Sequence, residues 1–149
     1  EVVAAFNPDR ERYIGYEELM TFILDSIVSN AVKYAADPKV VIKGFLDTDS
    51  YKIVIKDNGI GIPKDEIENI FAKYFRATNT SGTSGSGIGL YLCKRLAELQ
   101  EMKIEVHSEV GNGTQFVLIL PFNATYQIGG EQIFNNINGD EGHEKSIVH

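Results

Sequence analysis

The spacing of apolar residues predicts three helices. Apolar positions recur every three or four residues over 17–36, which predicts an amphipathic helix that ends before Pro38. A second helical pattern begins at Pro63, a residue that fits the first turn of a helix. Its apolar positions at helical spacing are Ile67, Ile70 and Phe71. The segment LYLCKRLAEL at 90–99 predicts a third amphipathic helix.

Four segments rich in β-branched residues predict strands. They are KVVIKGFL at 39–46, YKIVIKD at 51–57, KIEVHSEV at 103–110 and TQFVLILP at 114–121. A polar turn joins the first two and a Gly-Asn-Gly turn joins the last two, so each pair predicts an antiparallel hairpin. The element order therefore predicts an α/β fold, a two-layer sandwich in which a mixed or antiparallel sheet carries the helices on one face.

Two segments contain almost no residues that could be buried. The stretch ATNTSGTSGSGIG at 77–89 consists mainly of Gly, Ser and Thr, which predicts a mobile loop before the third helix. After Pro121 the chain becomes polar and rich in Asn and Gly. We therefore expect one domain over 1–122 and a polar, flexible C-terminal tail over 123–149. Because the first residue is Glu1 rather than Met, we also expect the chain to be a segment of a longer protein.

Composition narrows the classes of function. The net charge is −7, from 14 Lys and Arg against 21 Asp and Glu, which argues against a nucleic-acid partner. An anionic small ligand would require locally clustered cations. A single cysteine, Cys93, excludes an internal disulfide and a cysteine-rich metal site, and it suits a reducing compartment. No run of about 18 apolar residues is present, so we expect no direct membrane contact.

Polar side chains form a stripe on the first predicted helix. Ser26, Asn30 and Lys33 are separated by four and three residues and therefore share one face. This face could simply be solvated, as most polar stripes are. It could equally form a site, because Asn30 can offer an amide oxygen to a metal ion and Lys33 can offer a cation to a phosphate.

Two glycine-rich motifs stand where a ligand could approach the backbone. DNGIGIP at 57–63 comes at the end of a predicted strand, although its Asn-Gly pair also fits a simple turn. GSGIGL at 85–90 opens a helix, so it is either an anion site made of backbone N–H groups or a flexible linker at a helix boundary. This second motif is neither a Walker loop nor a dinucleotide fingerprint, because Ile88 follows Gly87 and Leu90 fills the last glycine position.

Taken in order, these motifs resemble those of one known family. SNAVKY, DNGIGIP, FAKYFR with GSGIGL, and GNGTQF are similar to the N, G1, F, G2 and G3 boxes of sensor histidine kinase catalytic domains. Those domains have the Bergerat ATP-binding fold of the GHKL ATPase superfamily, which includes DNA gyrase, mismatch-repair MutL proteins and heat-shock chaperones. The resemblance covers roughly residues 17–121, and the F box favours the kinase branch.

The resemblance implies a function for the whole chain. It implies an ATP-binding catalytic domain that transfers the γ-phosphate of ATP to a histidine in two-component signal transduction, with ATP and Mg²⁺ as cofactors. The acceptor histidine would lie on a dimerisation helix that this chain lacks. The implied partners are the dimerisation and histidine-phosphotransfer helices of the same protein and the receiver domain of a response regulator. The implied location is the cytoplasm, which includes the cytoplasmic part of a membrane-bound sensor.

The resemblance assigns one group of residues to the adenine end of the nucleotide. Asp57 would accept a hydrogen bond from the exocyclic amine of adenine, and a carboxylate that only accepts would discriminate against the carbonyl of guanine. Gly59 and Gly61 would let the backbone pass close to the base. The remaining residues implied at this end are Tyr34 and Ile62 as walls and Thr114 as support. Thr114 could almost equally well be an ordinary threonine of a strand, without a role toward the nucleotide.

A second group would hold the phosphates. Asn30 resembles the Mg²⁺-binding amide, Lys33 the phosphate-side lysine, and Arg76 the F-box arginine that approaches the γ-phosphate. The resemblance makes these three the catalytic residues. The loop that would hold the phosphates through its N–H groups consists of Gly85, Ser86, Gly87, Ile88, Gly89 and Leu90. Residues 77–86 would form a lid, which we expect to be disordered without ligand and ordered around a γ-phosphate.

Two departures from the family pattern leave alternatives open. Ser26 stands where the family usually has Asn or Glu, and a serine binds Mg²⁺ weakly and is not a general base unaided. No phospho-acceptor is evident, since His107 lies in a predicted strand and the pair His143-Glu144 lies in the polar tail. The chain could therefore be a regulatory module that binds nucleotide with little catalysis, or another ATPase of the superfamily.

Overall fold

The computed structural model describes residues 2–6 and 17–121, with only the backbone described over 2–6. The strands and α-helices in chain order are β1 (Val2–Phe6), α1 (Glu17–Lys33), β2 (Val40–Leu46), β3 (Ser50–Asp57), α2 (Gly89–Leu99), β4 (Lys103–Glu109) and β5 (Gly113–Pro121). Two single 3-10 turns occur at Ile67–Asn69 and Thr78–Thr80. The predicted tail over 123–149 lies outside the described residues.

The strands form one mixed sheet in the order β1-β2-β3-β5-β4. Both predicted hairpins are present, since β2 pairs with β3 and β4 pairs with β5, in each case antiparallel. Antiparallel pairing of β3 with β5 joins the two hairpins through the centre of the sheet. The sequence did not predict β1, which pairs in parallel with β2 at one edge.

The two α-helices lie on one face of this sheet and cover its core side. Helix α1 contacts α2, β2 and β3, and α2 also contacts β4. Along α1 the buried residues recur at four-residue steps as Ile23, Ile27 and Ala31, which is the stripe expected of an amphipathic helix. They pack against buried side chains of the sheet, among them Ile55 and Leu118. The predicted two-layer sandwich with a mixed sheet is thus confirmed.

The helix predicted from Pro63 is wrong. In its place the chain makes successive turns, with backbone bonds from Glu66 N to Pro63 O, from Asn69 N to Glu66 O and from Ala72 N to Asn69 O. Each bond spans three residues, so apolar side chains still recur at three-residue steps and Ile70 still reaches the core. A pattern of spacing three alone does not distinguish such turns from an α-helix.

Helix α1 ends at Lys33, three residues before the predicted end at Ala36. The N–H of Tyr34 still bonds Asn30 O, but the carbonyl of Tyr34 accepts the N–H of Ile60 at 3.0 Å. A contact with a distant loop therefore takes the place of the next helical turn. Within the described ranges, no helix combines the length and the apolar character needed to cross a bilayer.

Candidate nucleotide-binding site

A cleft of about 320 Å³ opens between α1, the end of β3 and the segment before α2. It brings together every predicted site residue except Ile88, although these residues come from segments far apart in the chain. Ile88 instead precedes α2 and accepts the N–H of Leu92 through its carbonyl. Two residues of the predicted lid, Ala77 and Thr80, also line the cleft. The lining residues that the sequence did not assign to the site are Ser29, Ala31, Ile60, Ile70, Phe75 and Phe116. Ser29 could have been found, because it neighbours the polar stripe of α1.

Asp57 lines the cleft and is the last residue of β3. Its side chain is buried, and its Oδ1 accepts the N–H of Gly59 at 2.8 Å and the N–H of Thr114 at 3.0 Å. Its Oδ2 has no hydrogen-bond partner among the described residues. The protein thus holds one oxygen of this carboxylate in place and leaves the other as an acceptor at the cleft.

The loop that follows, which we call the G1 loop (residues 57–63), packs tightly against neighbouring backbone. A β-carbon at Gly59 would lie 2.9 Å from Tyr34 O, and one at Gly61 would lie 2.0 Å from Glu109 O. Gly61 also has a φ of 69°, in the left-handed region. Contacts within the protein therefore explain both glycines, whereas the sequence assigned them to close approach of a base.

Asn58 fastens the G1 loop on its other side. Its Oδ1 accepts the N–H of Lys39 at 2.8 Å, and its Nδ2 donates to Asp37 O at 3.0 Å. These bonds tie the loop to the turn between α1 and β2. This role could not be predicted from the sequence, because an Asn-Gly pair fits an ordinary turn equally well.

The hairpin formed by β4 and β5 makes hydrogen bonds to the G1 loop. The N–H of Gly111 donates to Ile60 O at 2.9 Å, and the N–H of Ile62 donates to the hydroxyl of Ser108 at 2.9 Å. Ser108 does not line the cleft. It was missed because a serine in a strand carries no pattern that reports a partner 46 residues away.

Polar groups gather at the other end of the cleft, where the resemblance places the phosphates. Asn30 and Lys33 project from the last turn of α1, and a β-carbon at Gly85 would lie 2.7 Å from Lys33 Nζ. Lys33 Nζ also lies 4.9 Å from the centre of the Tyr34 ring. A cation and a glycine backbone thus lie side by side next to the start of α2, an arrangement that suits an anion.

Arg76 lines the cleft and contacts the lid, which is residues 77–86. Its Nη2 donates to Thr80 O at 3.3 Å and also contacts Thr83 O. The beginning of the lid is held separately, because Thr78 N and Thr78 Oγ1 bond the carboxylate of Glu66 at 3.0 and 2.6 Å. Asn79 Nδ2 donates to Gly61 O at 2.9 Å, which links the lid to the G1 loop.

The F box and the glycine loop before α2 interlock. Tyr74 N donates to Gly87 O at 3.0 Å, and both residues have positive φ, 66° and 70°. A β-carbon at Gly87 would lie 2.6 Å from Phe75 O. Gly87 is therefore required by contact with the F box, in addition to any role toward a ligand.

Three titratable groups outside the cleft have clearly shifted pKa values. Burial raises the pKa of the Cys93 thiol to about 11, which favours its protonated form at neutral pH. A hydrogen bond between Lys52 and Asp47 lowers the pKa of Asp47 and raises that of Lys52. This pair lies near the start of β3, at the opposite end of that strand from Asp57.

A metal ion in this cleft would depend on the ligand for most of its coordination. Over the described part of the chain, no group of three or more His, Cys, Asp or Glu is arranged to hold a metal. The amide of Asn30 is the oxygen ligand that the polar stripe offers. An oxygen-preferring cation such as Mg²⁺ fits this arrangement, because it commonly keeps water and phosphate oxygens as ligands.

The fold and the cleft together define a nucleotide-binding α/β domain. The chain belongs to the family of histidine kinase-, DNA gyrase B-, and HSP90-like ATPases, whose sequence model matches residues 15–124. Within this family it is homologous to the catalytic ATP-binding domains of sensor histidine kinases. The resemblance seen in the sequence motifs is thus confirmed.

Several sensor proteins are similar to this chain in sequence. Sensor protein BceS of Halalkalibacterium halodurans is 40% identical over 103 residues, which are 68% of this chain and 31% of that protein. Sensor histidine kinase YclK of Bacillus subtilis is 33% identical over 108 residues, 70% of this chain and 23% of that protein. The chain therefore spans about a third or less of the length of these relatives.

Solved structures share the fold. The mycobacterial sensor histidine kinase MprB superposes with a TM-score of 0.74 at 24% identity, covering 84% of this chain and 85% of that chain. Full-length ShkA in complex with AMPPNP superposes with a TM-score of 0.71 at 23% identity, covering 85% of this chain and 26% of that chain. At these identities the likeness establishes the architecture and not the role of individual residues.

Proposed function

We propose that this chain binds Mg-ATP in the cleft and serves as the catalytic domain of a sensor histidine kinase, which transfers the γ-phosphate to a histidine outside the chain. The observation that carries the proposal is that the two oxygens of the Asp57 carboxylate have different roles. Two backbone N–H groups hold its Oδ1, and its Oδ2 remains as an acceptor at the cleft. A fixed acceptor in a cleft selects a ligand that presents a donor to it.

At the adenine end of the cleft, the exocyclic amine of adenine supplies that donor. Guanine presents a carbonyl oxygen at the corresponding position, which would face the carboxylate without a proton between them. Tyr34 and Ile62 line the same cleft as Asp57 and offer apolar surface to a flat base. Thr114 adds a hydroxyl at the same end.

At the phosphate end, charge and positioning dominate. Lys33 and Arg76 supply cations, and the loop of residues 85–90 supplies backbone N–H groups. Asn30 would hold Mg²⁺, which when bound neutralises phosphate charge and favours phosphoryl transfer. Because the chain carries a net charge of −7, we expect tight nucleotide binding to need this ion.

The composition of the cleft favours phosphoryl transfer over hydrolysis. Asp57 is the only carboxylate among the described residues that line it, and it lies at the base end. Ser26 stands near Asn30 where a general base would be needed to activate water. Transfer to a histidine depends mainly on positioning and charge stabilisation, which the cleft can supply.

Ser26 also supports a second candidate, a nucleotide-binding regulatory module with weak catalysis. It lines the cleft with a hydroxyl where an amide or carboxylate would bind the metal more strongly. In this case the cleft would bind Mg-ATP and change the conformation of the lid without efficient transfer.

The proposed partners follow from the proposed reaction. The acceptor would be a histidine on dimerisation and phosphotransfer helices of the same protein, and the phosphate would pass to the receiver domain of a response regulator. The described histidine, His107, is an exposed residue of β4 and does not line the cleft. Use of ATP implies the cytoplasm as the location of this domain.

Labelling of the full-length parent protein tests the proposal. With ATP radiolabelled on the γ-phosphate, we expect an acid-labile, alkali-stable label on histidine that Asn30→Ala abolishes. Asn69→Ala, at an exposed asparagine in a 3-10 turn, is the matched control and should leave the label unchanged.

Two other outcomes would each favour an alternative. If the full-length protein bound Mg-ATP but labelled no histidine, the regulatory module would be the better account. If the isolated chain hydrolysed ATP appreciably, and Asn30→Ala lost that hydrolysis, a hydrolytic ATPase of the same family would be the better account.

A further inference from the structure

Ser108 lies on β4 outside the cleft and links the segments that form its base end. Its Oγ accepts the N–H of Ile62 at 2.9 Å and donates to the carbonyl of Gly113 at 3.0 Å. The same oxygen lies 2.8 Å from Thr114 Oγ1. Ile62 and Thr114 both line the cleft, so one hydroxyl connects two parts of its wall.

Counting protons gives the direction of these bonds. A serine hydroxyl has one proton, and a carbonyl can only accept, so the proton that Ser108 donates to Gly113 O is no longer available to Thr114. The Thr114 hydroxyl must then donate to Ser108. Its lone pairs remain as acceptors on a residue that lines the cleft.

The backbone of Thr114 extends this network to Asp57. Thr114 N donates to Asp57 Oδ1 at 3.0 Å, so the residue that Ser108 orients also fixes the carboxylate. On the other side, Ile62 belongs to the G1 loop that begins at Asp57. Ser108 is therefore linked to Asp57 in two ways, directly through Thr114 and, along the backbone of the G1 loop, through Ile62.

The remaining contacts between the G1 loop and the β4–β5 hairpin are made by backbone. Gly111 N donates to Ile60 O at 2.9 Å, and Gly61 packs against Glu109 O. Besides the bond from Thr114 N to Asp57 Oδ1, the bond to Ser108 is the side-chain hydrogen bond between these two segments in the described structure. It can thus be removed by substitution while the backbone bond stays in place.

We propose that Ser108 is a positioning residue for recognition of the purine 6-amino group. It sets Ile62 and Thr114 so that Asp57 presents its free oxygen to that amine, and it touches no part of the ligand itself. This inference rests on the proposed binding of adenine nucleotide.

A purely structural Ser108 would behave differently from a positioning one. Removal of the hydroxyl leaves the half-buried N–H of Ile62 without its acceptor, which weakens the loop for any ligand. A positioning role predicts a further loss that depends on the 6-amino group. The two roles are therefore separated by comparing two ligands that differ in that group alone.

The experiment is calorimetric titration with ADP and with purine riboside diphosphate, which lacks the amine, both with Mg²⁺. We expect the wild-type chain to bind ADP at least about tenfold more tightly. Ser108→Ala should reduce this preference about fivefold to tenfold, and Ser108→Thr, which keeps the hydroxyl, should restore most of it. Ser50→Ala, a buried serine at the far end of β3, is the control and should leave the preference unchanged.

Ser108→Cys serves if Ser108→Ala does not fold, because it keeps the side-chain size but hydrogen-bonds weakly. Equal loss of affinity for both ligands in Ser108→Ala or Ser108→Cys would overturn the inference and leave the proposed function intact. A wild-type chain that binds both ligands equally would also overturn it. If the wild-type chain bound neither ligand, the inference would fall together with the proposed function.

Discussion

Gly61 shows how much of the site is fixed by single backbone positions. It has a φ of 69°, and a β-carbon there would lie 2.0 Å from Glu109 O, well inside contact distance. Gly82 in the lid has a similar φ of 87°, but a β-carbon there would meet nothing within 4 Å. The two glycines thus separate the cost of the left-handed conformation from the cost of a collision.

Gly61→Ala should lower the free energy of unfolding by about 3 kcal/mol or more, because the chain must both keep a strained φ and move apart from Glu109. Gly82→Ala carries only the conformational penalty and should cost about 1 kcal/mol. Urea denaturation of both variants measures the difference. Equal costs would mean that the G1 loop moves freely away from the β4–β5 hairpin.

For single residues, the sequence predicted which positions line the cleft better than it predicted what each of them contacts. Fourteen of the fifteen residues that the motifs predicted line the cleft, among them Asp57 and Thr114. The motifs did not predict Ser108 or Asn58, whose partners lie 46 and about 20 residues away. Polar side chains in strands and turns have no periodicity that reports such partners, so only the folded structure reveals them.

Among the elements, the lid has an anchored beginning and a less constrained continuation. Glu66 bonds both the N–H and the hydroxyl of Thr78, and Asn79 bonds Gly61 O. Asn79 Oδ1 is buried without a hydrogen-bond partner among the described residues, which makes this anchorage weaker than a fully paired one. The lid therefore has the features of a segment that opens locally.

Glu66→Ala should release the beginning of the lid. Loss of both bonds to Thr78 should raise hydrogen exchange across residues 77–86 about tenfold, while the free energy of global unfolding changes by less than about 1 kcal/mol. Glu68→Ala is the matched control, because Glu68 is exposed in the adjoining 3-10 turn. Unchanged lid exchange in Glu66→Ala would show that Glu66 does not anchor the lid.

Arg76 should distinguish a triphosphate from a diphosphate. In this structure its guanidinium donates to lid carbonyls, and a γ-phosphate would offer charged acceptors instead. Arg76→Ala should weaken binding of a non-hydrolysable ATP analogue about tenfold and of ADP less than about twofold. Arg95→Ala, which removes an exposed arginine paired with Glu98 on α2, should change neither affinity.

Hydrogen exchange with and without the same analogue tests the predicted ordering of the lid. We expect protection of residues 77–86 to increase when the analogue binds, because the lid would close around the γ-phosphate. Identical protection in both states would contradict that prediction.

The elements themselves were predicted where local pattern decides them. Both hairpins and helices α1 and α2 follow from β-branched runs, turn residues and helical spacing. The segment from Pro63 was predicted as a helix because its turns, each bonded over three residues, place apolar side chains at nearly helical spacing. Strand β1 was missed because five apolar residues that pair in parallel across a long gap leave no local signal.

For the molecule as a whole, Cys93 links stability to pH. Cys93 is a fully buried residue of α2. Burial raises the pKa of its thiol from an ordinary value of 9.0 to about 11. In the unfolded chain the thiol ionises at lower pH than in the folded chain. Stability is therefore full below about pH 9 and is lost as the pH rises toward 11.

This loss should reach about 2 kcal/mol between pH 8 and pH 11, on top of the contributions of other groups. The measurement is the free energy of unfolding as a function of pH for the wild-type chain and for Cys93→Ala. The variant should be less stable near neutral pH because of its cavity, and its curve should lack this component. Parallel curves would show that the thiol does not titrate differently in the two states.

The central claim is that the free oxygen of Asp57 binds the amine of adenine in a site that needs Mg²⁺ for the phosphates. It predicts that Asp57→Asn keeps the fold, since the amide oxygen can still accept the N–H groups of Gly59 and Thr114. The amide nitrogen would then face the amine of the ligand, donor against donor. Asp65→Asn, at an exposed acid in the turn after Pro63, is the matched control.

The measurement that tests this most directly is calorimetric titration of ADP, with and without Mg²⁺, into the wild-type chain and both variants. We expect Mg²⁺-dependent binding by the wild-type chain and by Asp65→Asn, and a loss of affinity of at least about 100-fold in Asp57→Asn. Binding that persists unchanged in Asp57→Asn, or no binding by the wild-type chain, would contradict it.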